Sequence, residues 1–178
     1  MTRSIKSFAR RFFKEERGSM VIEFALVIPI VFTIFMTSVE MGIYQLRQMF
    51  LDRGVDMAVR NVRLNTGADY EHDEVKTMIC GFAGFLEDCD SELKLSLTPV
   101  AVRSFSGFNA AADCSDKAED IAPVQFIQGG EHQMMLMRAC YMFKPVFPTS
   151  GLGYAYTKDG TGRSKMFAVT AFVQEPQK

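Results

Sequence analysis

Residues 18–39 read GSMVIEFALVIPIVFTIFMTSV, and how this stretch is read decides the fold. Residues 24–39 carry no charge, and the five before them hold a single carboxylate, Glu23. At about 1.5 Å per helical residue, some twenty such residues cross a hydrocarbon core of ~30 Å. The stretch therefore predicts a transmembrane helix over 19–40. Before it, Arg3, Lys6, Arg10, Arg11, Lys14 and Arg17 stand against Glu15 and Glu16. Basic residues beside an apolar span are held on the cytoplasmic side, so 1–18 reads as a cytoplasmic basic leader and the rest as exported.

The chain has 178 residues and a net charge of -1, which hides an asymmetry: the leader carries +4 and the remainder -5. Once leader and span are set aside, one small domain of ordinary size is left. Its acidic balance lacks the basic stripe that phosphate backbones require, which argues against nucleic acid as a partner. All four cysteines, Cys80, Cys89, Cys114 and Cys140, follow the span. In an oxidising compartment an even count favours two disulfides. Three connectivities are possible; sequence-local pairing, Cys80 with Cys89 and Cys114 with Cys140, is the simplest, and the crossed forms stay open. The cysteines form no CxxC pair, and His72 and His132 stand at no ligand spacing to them, so no metal site is expected.

A secretory signal would place a small-residue cleavage site after its apolar core, and no A-x-A pattern follows Val39. Cleavage in front of the core, at Gly18, would instead leave the apolar segment as the mature N-terminus. Here the residues resemble a known family. Gly18-Ser19-Met20-Val21-Ile22-Glu23-Phe24 is similar to the processing site of type IV prepilins, with Gly18 closing the leader and Ser19 opening the mature chain. The wider run, from Glu16-Arg17-Gly18 on to Pro29, resembles the TadE-like (TadE or TadF) pseudopilins of the Flp, or Tad, type IVb pilus. The resemblance implies processing by a prepilin peptidase at Gly18 and Ser19, and an assembly role for Glu23, Phe24 and Pro29. It also implies a single-pass protein of the bacterial inner membrane with its C-terminal domain in the periplasm, working with other pilus subunits and Tad platform proteins in pilus biogenesis, adhesion and biofilm formation. Physically, a carboxylate at membrane depth costs about 2.5 to 3.5 kcal/mol at mid-helix and calls for a partner. The α-amino group that cleavage would create on Ser19 is one. Pro29 removes a helix hydrogen bond, which membrane helices tolerate.

Beyond the span, Ile43, Leu46, Phe50, Gly54, Met57 or Ala58, and Val62 keep a three-to-four spacing. This extends the helix over 41–65, to a stop at Asn65-Thr66-Gly67, for a length of about 69 Å from Ser19 to Leu64. The stripe is expected to seat the exported domain, 66–178; a coiled-coil contact with another subunit is the competing use. Val75, Met78, Ile79 and Phe82 predict a second helix, begun near Thr66 or Asp69 and ended at Gly84. Leu93, Leu95 and Leu97 alternate with polar residues as in a strand with one wet face. Val100 and Val102 could continue that strand past Pro99. Residues 104–120 read as a loop held by Cys114. Residues 133–143 predict a central strand and 165–173 a last one, joined by an irregular stretch with a turn at Asp159-Gly160. The expected fold is α+β, a long helix leading into a small domain with an antiparallel sheet. Ala168-Val169-Thr170-Ala171-Phe172-Val173-Gln174-Glu175-Pro176 resembles the close of TadE-like proteins, with Gln174 where Asn is more usual.

No GxSxG, HExxH, P-loop or GxGxxG is present, and the methionines around 134–142 read as core. The chain is therefore expected to be no enzyme, with no cofactor, no metal and no small-molecule substrate. The alternative in another class is a signal-anchored exported enzyme or binding protein.

Overall fold

The apolar stretch is the start of one continuous helix, α1, Ser19–Leu64, which bears Pro29 in its interior. It belongs to a computed structural model that describes residues 19–65, 68, 70–101, 103, 114, 126, 127, 129–149 and 151–176. The leader with Gly18, the helix stop at Thr66-Gly67, Asp69, Val102 and the 104–120 loop apart from Cys114 lie outside the described residues. After α1 come α2 (His72–Ala83), α3 (Cys89–Glu92), β1 (Leu93–Pro99), β2 (Met134–Phe143), α4 (Gly151–Ala155) and β3 (Ser164–Val173). The three strands form one antiparallel sheet in the order β1-β2-β3. The fold is α+β, as the alternation of helical and strand periods predicts.

Helix α1 changes character along its length. Residues 20–35 are exposed all round, whereas from Glu40 onward one face is buried. That face holds Leu51, Val55, Ala58, Val59 and Val62 and packs on the sheet beside Val75, Ile79 and Ala83 of α2. From the sheet come Leu93, Leu95 and Leu97, then Met135, Met137, Ala139 and Tyr141, then Met166, Ala168 and Phe172. Each of the Val, Leu, Ile, Phe and Met side chains among them contributes about 1.5 to 3 kcal/mol of burial. Strand β2 is buried along nearly its whole length, as a central strand of apolar residues must be.

The buried stripe of α1 follows the one that counting apolar residues predicts only in part. Gly54, Ala58 and Val62 are buried, but Leu46 is 45% exposed and Met57 37%. The true face passes through Glu40, Arg47, Leu51 and Val55. Two charged residues sit on it because the backbone of the 144–147 segment satisfies their polar ends, something no hydropathy pattern encodes.

Gly54 marks the crossing of α1 and α2. A Cβ there would stand 2.8 Å from the carbonyl oxygen of Ile79 and 3.1 Å from Cβ of Ala83, so only glycine permits this approach. Helix α2 starts with the Glu71 N–H donating to the Glu74 carboxylate at 3.3 Å and ends at Gly84 in the left-handed region, φ 55°. It begins at His72, later than the sequence predicts, with Glu71 at the N-cap and Glu74 completing a capping box. A disulfide joins Cys80 to Cys89 with Cα atoms 5.7 Å apart, stapling the end of α2 to α3. A second joins Cys114 to Cys140, Cα atoms 5.8 Å apart, and buries Cys114 beside Met142 on the outer face of β2. The Tyr141 hydroxyl donates to the Glu87 carbonyl at 2.7 Å. Burial raises its pKa to about 12, against the pull of Arg47. Glu92 and Arg163 form a buried ion pair that ties α3 to the start of β3.

Candidate functional site

Two parts of α1 have a chemistry that the sheet does not explain: its bare apolar half and its seat in the domain. In the bare half, the most apolar 18-residue window has a mean hydropathy of 2.3 and no buried residue. Met20, Ile22, Phe24, Leu26, Ile30, Phe35 and their neighbours present a continuous apolar cylinder, which water does not tolerate and lipid or apposed helices do. Its polar side chains are handled locally. The hydroxyl of Thr33 donates to the Pro29 carbonyl at 2.7 Å, that of Thr37 to the Thr33 carbonyl at 2.7 Å, and that of Ser38 to the Ile34 carbonyl at 2.9 Å. Such back-bonding hides hydroxyls from hydrocarbon.

The residues singled out from the sequence fall on this half. Ser19 opens the helix, Glu23 and Phe24 stand exposed a turn later, and Pro29 leaves the Ala25 carbonyl without its helical donor. They lie along the N-terminal part of one helix. The four cysteines lie in the domain, away from that terminus, and serve the fold.

The seat was missed by sequence reasoning. Glu40 is 2% exposed, and its carboxylate accepts the N–H of Val146 at 3.1 Å on Oε1 and that of Phe147 at 2.8 Å on Oε2. Seven residues on, along the same face, Arg47 donates to the Lys144 carbonyl at 3.0 Å and lies over the Phe143 ring, 5.7 Å from its centroid. Between them Tyr44 stacks on Tyr156 and meets Phe143 edge-on, both at 5.6 Å. Burial raises the pKa of Tyr156, and the nearby Glu40 adds to it. Gly151, φ 53°, closes the seat: a Cβ there would lie 2.5 Å from Oγ1 of Thr37. The connection after β2, irregular in the sequence, is thus a collar on α1 where the bare half ends. The one available signal was the placement of Glu40 and Arg47 seven apart, on one face, just past the apolar run. The Asp159 carboxylate orders the far end of the same connection by accepting the N–H of Thr161 at 2.9 Å and of Arg163 at 2.7 Å. Burial pushes its pKa up, and these bonds together outweigh that and hold it below the usual range.

Among the described residues no three His, Cys, Asp or Glu side chains come together as a metal would need. His72 sits at the start of α2 against Asp73, whose carboxylate it hydrogen-bonds at 2.9 Å and holds below its ordinary pKa.

The arrangement is that of a helix-anchored protein: a membrane-length apolar cylinder rigidly continuous with a small disulfide-bonded α+β domain. Residues 18–60 match the family model described as TadE-like protein, a stretch that covers most of α1. The matched stretch includes the bare helix, which is long and apolar enough to cross a membrane. The match stops at residue 60 and leaves the sheet outside it. No curated protein and no solved structure matches the chain.

Proposed function

We propose that this chain is a pseudopilin-like structural component of a Tad (Flp) type IVb pilus, cut after Gly18 by a prepilin peptidase. The single observation that carries the reading is the TadE-like match falling on a helix whose first sixteen described side chains, 20–35, are all exposed and, apart from Glu23 and Thr33, apolar. A cylinder of that kind is completed by lipid before assembly and by neighbouring helices after it. The exported domain then faces the periplasm, with the membrane as first partner and other pilus subunits and Tad platform proteins as later ones. Catalysis is assigned to no residue.

In this reading Glu23 sets register. Cleavage leaves an α-amine on Ser19, one turn before Glu23, and in a low-dielectric setting the carboxylate and the amine of a neighbouring subunit attract strongly. Phe24 packs against the same neighbour, and Pro29 exposes a carbonyl and softens the helix where it bends into place. Adhesion and biofilm formation follow from the assembled pilus. The test is Glu23→Ala in a piliated host. Membrane insertion and cleavage are expected to persist while pilus assembly falls; normal piliation would remove the registration role. A host lacking the whole gene that remained fully piliated would sink the wider proposal in favour of a signal-anchored binding protein.

A further inference from the structure

The collar differs from the rest of the domain in charge and in depth. Residues 144–158 read KPVFPTSGLGYAYTK, a lysine at each end and no carboxylate between, in a chain that carries -5 beyond its leader. Tyr154 is 74% exposed and Val146 43%. The Lys158 ammonium donates to the Pro148 carbonyl and lies over the Tyr154 ring, 5.8 Å from its centroid. Aromatic rings and lysines without acids between them suit the layer where lipid headgroups meet hydrocarbon. The contacts with α1 then fix the depth. Lys144 is held at the level of Arg47, Val146 and Phe147 at that of Glu40, and Gly151 stands against Thr37. Gly151 is therefore the contact nearest the bare half, whose side chains are exposed all round until Met36 and Thr37. From Ser19 to Thr37 the helix rises about 27 Å, against a hydrocarbon core of ~30 Å.

We propose that the collar seats in the headgroup layer of the bilayer that α1 crosses, so that its partner is the lipid surface. This rests on the reading of α1 as a membrane span. With 20–35 in hydrocarbon, Gly151 stands at the boundary. Tyr156 stacks on Tyr44, about 10 Å further along the helix than Thr37. Tyr154 lies in the chain between these two levels, and the headgroup layer is itself about 5 to 7 Å thick. Its ring then meets the acyl boundary while its hydroxyl stays wet, and Lys158 sets a positive charge beside lipid phosphates. The bonds of Glu40 and Arg47 make helix and collar one body, so the depth of one is the depth of the other. Lifting the collar clear of the headgroups would draw Glu23, about 6 Å along the helix from Ser19, deeper into hydrocarbon, where a carboxylate is costly. The collar thereby sets how far the chain sinks into the membrane.

The chain has no tryptophan, so one substitution supplies a single fluorescent reporter. Tyr154→Trp on the collar, Leu26→Trp in the bare half and Val173→Trp at the far end of β3 replace side chains that are 74%, 68% and 48% exposed. Each full chain is reconstituted in vesicles of phosphatidylethanolamine and phosphatidylglycerol, with and without lipids brominated high on the acyl chain. Leu26→Trp and Tyr154→Trp are expected to lose most of their emission to the brominated lipid, while Val173→Trp keeps its own. Should a tryptophan at 154 disturb the collar, Val146→Trp reports from the same surface and should also be quenched. Quenching of Leu26→Trp without quenching of either collar reporter leaves the span standing and overturns the proposal. An unquenched Leu26→Trp removes the membrane reading and the proposal with it. Blue-shifted but unquenched emission from Tyr154→Trp would put protein in place of lipid against the collar, and overturns the proposal as well.

Discussion

Replacing Glu40 by Ala tests whether the collar on α1 is held by one carboxylate. The side chain is buried and accepts two backbone N–H groups, at 3.1 and 2.8 Å, so its removal strands two donors. A buried donor left unpaired costs about 1 to 3 kcal/mol, and hydrogen bonds to a charged acceptor lie at the upper end. Val146 lies exposed, so water can reach part of the vacated site, which lowers the sum to about 2 to 4 kcal/mol. The loss is local first: amide exchange at Val146 and Phe147 should accelerate by about two orders of magnitude, while amides of β2 and β3 change less. Glu40→Gln retains one acceptor oxygen and should fall between Ala and the native protein. Hydrogen exchange by mass spectrometry on the full chain in micelles reads all three. If the 145–149 peptides of Glu40→Ala exchange at the native rate, the carboxylate is not what holds the collar.

Gly54→Ala should lower stability by about 1 to 3 kcal/mol despite its better helix propensity, because the new Cβ meets the Ile79 carbonyl at 2.8 Å; the urea midpoint reports it. Reducing Cys80–Cys89, which closes a loop of nine-residue separation, should cost about 2 to 3 kcal/mol, and an unchanged thermal midpoint in reductant would argue against the bridge. Tyr141 titrates near 10 when unfolded and at about 12 when folded, so its contribution is complete below pH 10 and is lost as pH rises toward 12; in Tyr141→Phe that part of the alkaline fall should vanish. Asp159 is depressed by folding, so its contribution holds above about pH 4 and fades as pH falls through the lower folded value; Asp159→Asn should flatten that acid limb.

Much of this was legible before any coordinates. The continuous helix to Leu64, the change to a period of two at Leu93, and the doubly apolar run that becomes central β2 all follow from periodicity alone. The cysteine pairing did not follow from sequence: three connectivities stood open, and the structure has the sequence-local one. What escaped was tertiary. Leu46 and Met57 look like core residues but face outward, while Glu40 and Arg47 look like surface residues and are buried. Hydropathy scores a side chain by its own solvation. Whether a charge can be buried depends on which backbone groups meet it, and those groups lie about a hundred residues away at 144–147. The bare half of α1 carries the reverse lesson: none of its side chains is buried among the described residues, and its character is legible from its sequence alone.

The central claim is that this bare half is the mature N-terminus of an assembling subunit. Intact-mass measurement of the full chain, isolated from membranes of a host with an active prepilin peptidase, tests it most directly. The account predicts a chain that begins at Ser19 and keeps all of α1. A protein still carrying Met1 and its basic leader, in a host that processes its other prepilins, would contradict it.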